Sequence, residues 1–467
     1  MKTSTKKSLQ QGMIKLSAIL LMTGGCLTAH ADHFETATQA VANMKVGWNL
    51  GNTLDCHSAD TTNMWIEAYT QRKPSDYETA WGQPTTTLAL IKMMKDAGFN
   101  TIRIPVTWYP HMEADFKNVN GSNKTWSPSA ELIGTKIDAD WMARVKEVVD
   151  YVISQGMYCI LNVHHDTGDA NTTWLVADKD VYAKEKSTFE AIWTQIANTF
   201  KDYDERLLFE GYNEMLDIKH SWCFASFNTS NKYDAQIAAS AYEAINSYAQ
   251  SFVNAVRATG GKNAQRNLII SPYAAASGSG KWNTHLLDPL KQLTLPTDPT
   301  AHHLAIEVHD YKDMTKLQAA KNEVDEEIST WKQYFLSKGV PVIVGEWGAS
   351  DNEKYDIYQN YRGNLLSYAR YFVEKTKAAG IATLYWMGLS DGTARSVPEF
   401  NQSDLKDQII KGYYGENGYT GIHNLTTAPS RKDDSIVYTI TGQKVSDKTE
   451  QLPAGIYIRG GQKFVVR

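Results

Sequence analysis

Eight short apolar runs recur along the chain, and seven of them close on polar side chains. They are Val46–Asn52, Thr101–Val106, Tyr158–His165, Leu207–Glu214, Asn267–Tyr273, His303–Tyr311, Val340–Trp347 and Ile381–Met387. Runs of this length, rich in β-branched and aromatic residues, read as strands. Between them the apolar spacing becomes helical. Leu88, Ile91 and Met94 share one face of 87–97. Val145, Val148, Val149 and Val152 do so in 141–153, and Ile245, Tyr248, Phe252 and Val256 in 241–258. Gly98, Gly156 and Gly380 each stand just before a strand, where a helix-ending glycine belongs. Alternating strands and helices imply a parallel sheet, and eight units imply a closed (β/α)8 TIM barrel. The alternative, an open doubly wound sheet, would want a glycine-rich phosphate loop after its first strand, which Gly51 alone does not supply.

The pattern changes near the C-terminus. Residues 423–434 read as a linker. The tail 435–467 then shows three strand-like runs, Ile436–Ile440, Leu452–Ile458 and Phe464–Val466, with turns at Thr441-Gly442 and Gly460-Gly461. At the other end, Lys2, Lys6, Lys7 and Lys15 precede or enter an apolar run from Met13 to Met22, followed by Ala29-His30-Ala31. Residues 1–31 therefore read as a secretory signal peptide, too short in its apolar part to span a membrane. Thr23-Gly24-Gly25-Cys26 resembles a lipid-attachment signal but lacks the usual Leu at the Thr23 position. The expected organisation is signal peptide 1–31, barrel 32–422, linker and small β-rich tail, in a protein exported by a Gram-negative bacterium.

Loss of 1–31 would take the formal charge from −5 to −9. Such acidity argues against nucleic acid as partner and suits a neutral substrate. Of four cysteines, Cys56, Cys159 and Cys223 would remain, too few for a disulfide framework and without zinc spacing. Cys159 falls within an apolar strand and should be buried. Thirteen Trp and 25 Tyr could stack on sugar faces or fill a core, so composition does not separate the two.

The polar positions cluster at the C-terminal ends of the strand runs, where barrels of this kind carry their active sites. They include Asn52, Arg103, His164, His165, Asn213, Glu214, His309, Tyr311, Glu346 and Trp386. Two glutamates on separate strand ends, Glu214 and Glu346, fit the pair of carboxyl groups that glycosidic hydrolysis needs. One protonates the leaving oxygen, and the other attacks the anomeric carbon or activates water. Glu210 and Glu307 lie earlier on their strands and should be buried hydrogen-bonding groups, while Asp166 and Asp391 lie just past strand ends as supporting groups. The adjacent His164 and His165 invite a metal reading. Neighbours on a strand point to opposite faces, however, so no metal or cofactor is expected.

The motifs Gly47–Asp55, Gly98–Trp108, Asn162–Asp166, Tyr212-Asn213-Glu214, Val308–Tyr311 and Gly345-Glu346-Trp347 together resemble glycoside hydrolase family 5, the cellulases and related β-glycanases. The first two are similar to the subfamily holding many endoglucanases, lichenases and xyloglucanases. The resemblance implies that Glu214 is the acid/base and Glu346 the nucleophile of a retaining mechanism. Arg103 and Tyr311 would stabilise the Glu346 charge, and Asn213 would meet the sugar 2-hydroxyl. Asn52, His164, His165 and His309 would hold the reacting sugar and the carboxylates, and Trp386 would stack under the ring. The expected substrate is a β-linked plant glucan, with xyloglucan, mixed-linkage glucan and mannan as alternatives, or a glycan bound without turnover. A monomer is expected. Two positions depart from the family: Met215 stands where Pro often follows the acid/base, and Asp310 separates His309 from Tyr311. The tail resembles C-terminal segments of secreted Bacteroidetes-type proteins, which implies an export signal as an alternative to an accessory module.

Overall fold

The computed structural model describes residues 34–126, 133–227, 232–350, 360–419, 437–439, 444–446, 452–459 and 462–466. The expected signal peptide, the lipid-attachment segment, the linker 423–434 and both tail turns lie outside the described residues.

Eight parallel strands close a barrel in chain order: β1 Val46–Asn49, β2 Thr101–Ile104, β3 Tyr158–Asn162, β4 Leu207–Glu210, β5 Leu268–Ile270, β6 Leu304–Lys312, β7 Val342–Ala349 and β8 Ala382–Tyr385. The last returns to the first, with Val46 opposite Thr383 and Gly47 opposite Leu384. The predicted eight-stranded barrel is therefore the fold. Helices follow the periodicity and are set by their caps. The Thr87 side chain accepts from the Leu90 N–H at the start of Leu88–Ala97, and Gly98 ends that helix at φ 109°. Aspartates 138, 178 and 234 cap Ala139–Ser154, Lys179–Thr199 and Ala235–Ala258 in the same way. Gly156 and Gly380 also hold positive φ.

Alternation along the strands sorts two apolar layers. Cys159, Leu161, Leu207 and Phe209 face outward into the core beneath the helices, so Cys159 is buried as expected. Ile160, Leu208, Ile269, Ala305, Ile343 and Leu384 face inward and pack with Ala37, Ala40, Val41 and Met44 of the helix Ala37–Met44. That helix plugs the lower barrel mouth, a feature the periodicity does not announce. Among the described residues, no helix is long and apolar enough to cross a membrane.

The tail forms an antiparallel sheet of four strands rather than the expected three, ordered β10-β9-β11-β12. These are β9 Val437–Thr439, β10 Lys444–Ser446, β11 Gly455–Arg459 and β12 Gln462–Val466. The missed strand, β10, is three residues long with polar residues at both ends, so it gives no apolar run to read.

Candidate active site

Not all predicted strand-end residues lie on strands. β3 stops at Asn162 and β4 at Glu210, so His164, His165, Asn213 and Glu214 stand on the following loops. Backbone hydrogen bonds carry the parallel arrangement past the strand ends: His164 N–H donates to Val106 (2.8 Å) and Asn213 N–H to Val163 (2.9 Å). His309, Tyr311 and Glu346 are within β6 and β7.

A bulge aims Glu346. The β6–β7 register pairs Val308 with Val344 and then His309 with Glu346, leaving Gly345 as the extra residue. An inserted residue resets the two-residue alternation. Glu346 therefore joins the inward-facing site, while Trp347 turns outward against Phe372 (ring centroids 4.5 Å). Gly345 is obligatory for a spatial reason: a Cβ there would lie 1.9 Å from Glu307 Oε1.

Arg103 is the hub of the upper barrel. It is fully buried, and its Nη1 donates to Glu346 Oε1 (2.7 Å) and Asn49 Oδ1 (3.0 Å). Its Nε and Nη2 form a two-pronged contact with Glu210 (2.6 and 2.7 Å), and Nη2 also reaches Asn213 Oδ1 (2.9 Å). Glu307 lies 3.3 Å from Nε. Glu210 and Glu307 are thus buried and paired as expected. Burial, with Glu307 nearby, raises Glu210 to about 7 despite Arg103.

His309 links the two central carboxyls. Its Nδ1 is 2.7 Å from Glu214 Oε1 and 3.6 Å from Glu346 Oε2, and its Nε2 is 3.1 Å from Glu307 Oε1. Burial opposes a charged imidazole, but Glu346, Glu214 and Glu307 outweigh it and lift His309 to about 10. It is therefore a cation at neutral pH. The two carboxyls diverge. Burial and the neighbouring Glu346 raise Glu214 above the usual carboxyl range, although His309 and Arg103 pull the other way. Burial also penalises the Glu346 charge, but His309, Arg103 and the Tyr311 hydroxyl (2.7 Å from Oε2) hold Glu346 below that range. One group tends to keep a proton and the other to lose it.

His164 and His165 behave differently from His309. Burial holds His164 well below the ordinary imidazole range and His165 at about 4, so both are neutral. Asn162 Oδ1 accepts from Val106 N–H, so its Nδ2 faces His164 Nδ1 (3.0 Å) as donor. The His164 proton then sits on Nε2, 3.9 Å from Glu346 Oε1. The expectation that the two histidines diverge fails. Because β3 has ended, their rings meet edge to face, with centroids 4.5 Å apart and planes at 77°. Asp55, His164 and His165 offer ligand-type atoms within 4.8 Å of one another, and Glu214, His309 and Glu346 do the same.

The remaining expected residues frame the cleft. Trp386 lies parallel to His164, centroids 5.7 Å apart at 8°. It lies so close to Gly51 that a Cβ there would meet the indole at 3.0 Å. Asn52 adopts φ 57°, and its N–H donates to Asp55 (3.0 Å), which turns the loop after β1. Asp166 accepts from Trp108 N–H, Tyr109 N–H and the Trp174 indole (2.8, 2.8 and 2.7 Å). Asp391 contacts Gln83 and Arg395 (both 3.3 Å). Both therefore support the rim, as expected.

Two rings that the sequence does not single out, His57 and Trp81, cluster with His165 at 4.9 and 5.5 Å. Both belong to long loops without strand patterning, and their aromaticity was the only signal. Lys312, likewise not singled out by the sequence, is buried between Asp310 and Glu327 (2.6 Å to Glu327).

A TIM barrel that gathers two carboxyls of opposed proton affinity at the C-terminal ends of its strands, ringed by neutral imidazoles and indoles, has the architecture of a glycoside hydrolase. The chain belongs to glycosyl hydrolase family 5, the cellulase family, which matches residues 60–391. It is 32% identical over 414 residues to Endoglucanase A of Clostridium longisporum, covering 83% of this chain and 68% of that one. Among solved structures it resembles a broad-specificity endoglucanase of family 5 subfamily 4 from an uncultured bacterium. That match has 49% identity and a TM-score of 0.74, and covers 82% of this chain and 98% of the other. A family 5 enzyme of Prevotella bryantii, crystallised as a mutant with a xyloglucan tetradecasaccharide, matches at 38% identity and TM-score 0.67. It covers 81% of this chain and 99% of that one.

Proposed function

We propose that the protein is a retaining endo-β-1,4-glucanase in which Glu214 is the acid/base and Glu346 the nucleophile. The observation that carries this reading is the carboxyl pair itself. Glu214 and Glu346 offer oxygens within 4.8 Å of each other. That suits direct attack on the sugar, because an inverting pair stands roughly 6.5–9.5 Å apart to admit water. Glu346, held ionised by His309, Arg103 and Tyr311, attacks the anomeric carbon as Glu214 protonates the departing oxygen. Water then displaces Glu346, giving its proton to Glu214.

Asn213, whose carbonyl oxygen is taken by Arg103, presents its amide nitrogen to the sugar 2-hydroxyl. Asn52, His164 and His165 bind the reacting sugar, Trp386 stacks on it, and His309 orders the carboxyls. Glu214→Ala should lower turnover of polysaccharide by about 10²–10⁴-fold. It should retain most activity on aryl glycosides with acidic leaving groups, which depart unprotonated. Equal losses on both substrates would remove Glu214 from the acid role.

The substrate is a β-glucan. The likeness to the xyloglucan-bound Prevotella bryantii structure favours, as a second reading, a branched β-1,4-glucan. Reducing-sugar release from carboxymethylcellulose, xyloglucan, mixed-linkage glucan and mannan separates these readings. Activity on mannan alone would exclude a glucanase, and binding without release would indicate a non-catalytic glycan-binding protein.

Export belongs to the same proposal. Residues 1–31 act as signal peptide, 32–422 as the catalytic domain and 423–434 as linker, with 435–467 an accessory β module or sorting signal and the protein a monomer. The N-terminal lysines with the apolar run behind them and the tail motifs support this. N-terminal sequencing and cell fractionation, with and without 435–467, test it.

A further inference from the structure

Glu307 takes no direct part in the proposed reaction, yet the barrel makes room for it. It lies on β6, two residues before His309, and is fully buried. Its Oε1 is 3.1 Å from His309 Nε2 and 3.3 Å from Arg103 Nε. The Arg103 Nε–H is already given to Glu210 Oε2 at 2.6 Å, so His309 is the donor that Oε1 can take. The other oxygen, Oε2, has no hydrogen-bond partner among the described residues. On the neighbouring strand the bulged residue is Gly345, where a Cβ would lie 1.9 Å from Oε1 and 2.2 Å from the carboxyl carbon. The Glu307 carboxyl is thus walled in by β7 and tied to the site through His309.

That tie bears on the proton at the other side of the imidazole. His309 Nδ1 stands 2.7 Å from Glu214 Oε1. This contact has two possible donors: His309 to Glu214, or a protonated Glu214 to a bare Nδ1. An acceptor at Nε2 that is also charged favours the imidazolium, which has an N–H at both nitrogens. The other titratable and charged groups around the pair are Arg103 from β2, His164 after β3, Glu210 from β4 and Glu346 from β7. After β5 the ladder meets His309 through the backbone of Ala276. Burial opposes the imidazolium, but Glu346, Glu214 and Glu307 outweigh it.

The consequence falls on Glu214. With Nδ1–H donating to Oε1, that oxygen is an acceptor, and the proton Glu214 delivers sits on Oε2. With the single proton of a neutral imidazole on Nε2, Nδ1 would be a lone pair. The Glu214 proton would then sit on Oε1 and be held by His309 rather than passed to the glycosidic oxygen.

We propose that Glu307 is a positioning residue for the proton-donating step: by accepting from His309 Nε2 it keeps Nδ1 a donor to Glu214 Oε1, and so fixes the transferable proton on Glu214 Oε2. In that step the proton passes from Oε2 to the glycosidic oxygen as the bond to the anomeric carbon breaks, and His309 keeps both of its own. The inference rests on Glu214 as the acid/base.

Glu307→Gln keeps the shape and an oxygen for His309 but removes the charge. Selective ¹⁵N labelling of histidine reads His309 directly, its signals identified by their loss in His309→Asn. At about pH 8 the unaltered protein should show both His309 nitrogens protonated, and Glu307→Gln only one. A neutral His309 in the unaltered protein, or an imidazolium in the variant, would overturn the inference. On cellohexaose the alkaline limb of kcat/KM in Glu307→Gln should lie at least about one pH unit lower. Without the Glu307 charge, His309 and Glu214 together give up their first proton more readily. The acidic limb should hold, since Arg103 and Tyr311 still serve Glu346. A profile that falls in height with neither limb moved would make Glu307 a packing group only. A second substrate, 2,4-dinitrophenyl β-cellobioside, has a leaving group that departs unprotonated. If its alkaline limb moves as far as that on cellohexaose while the nitrogen signals behave as expected, it is the acid role of Glu214 that fails.

Discussion

At the bottom of the barrel, Ile160, Leu208, Ile269 and Ile343 meet the helix Ala37–Met44 in a wholly apolar layer. Near the top of the same interior, Asn162, Arg103, Glu210, Glu307, His309 and Glu346 form one connected polar network. The same strands supply both. Two residues up from Leu208 comes Glu210. On β6, Ala305 is followed at that spacing by Glu307 and His309, and on β7, Ile343 by Gly345 and, through the bulge, Glu346. The lower layer gains free energy by burial, about 25 cal/mol per Å² of apolar surface. The upper layer carries buried charges that are costly unless every partner is in place. The comparison assigns stability to the lower layer and reactivity to the upper, and each of the following substitutions tests that division.

The largest effect is expected at the top. Glu346→Gln removes the attacking charge while keeping the shape, so kcat should fall by at least about 10³-fold on every substrate, activated or not. Far-UV circular dichroism should be unchanged. Residual turnover within tenfold of the parent would assign the nucleophile elsewhere.

Leu208→Ala makes the converse test. It should cost about 2–5 kcal/mol of folding free energy, because it opens a cavity in the plugged layer. Below the melting transition kcat should remain within about twofold of the parent. A stable variant with impaired turnover would mean that the lower layer positions the site rather than only supporting it.

Much of this division was legible in the sequence, for reasons particular residues make plain. Eight apolar runs, with Arg103, Asn213-Glu214, His309 and Glu346 among the polar residues toward their C-terminal ends, disclose the barrel and its active face, because strand periodicity and polar termini are local signals. The ties that tune the site are not local. Arg103 meets Glu346 243 residues later in the chain. Glu307 looks like any buried acid until its carboxyl is found between Arg103 and His309, in the space a Gly345 side chain would take. Early termination of β3, which brings His164 and His165 together, also defeats a simple alternation argument. The plugging helix is only eight residues long and offers little pattern to read.

His309→Asn sharpens the upper layer itself. The cation beside both carboxyls lowers the proton affinity of each. Removing it should raise both. Activity needs Glu346 ionised and Glu214 protonated, so the acidic limb of the pH–rate profile follows Glu346 and the alkaline limb Glu214. Both limbs should move to higher pH, so that the variant loses most at the acidic end. A profile that falls in height without moving would make His309 a spacer, with no electrostatic part.

The smallest effect concerns metal. Asp55, His164 and His165 could meet one ion geometrically. Their partners are already committed, however. Asn162 Nδ2 points at His164 Nδ1, and Asp55 accepts from the backbone of Asn52 and Thr53 (3.0 and 2.7 Å). The network holding Glu346 ionised consists of Arg103, His309 and Tyr311, side chains that EDTA does not touch. Incubation with EDTA followed by desalting should therefore leave kcat and KM unchanged. A loss restored by a divalent cation would move the seat of charge control from Arg103 and His309 to the histidine pair, and the division between the two layers would need an ion to complete it.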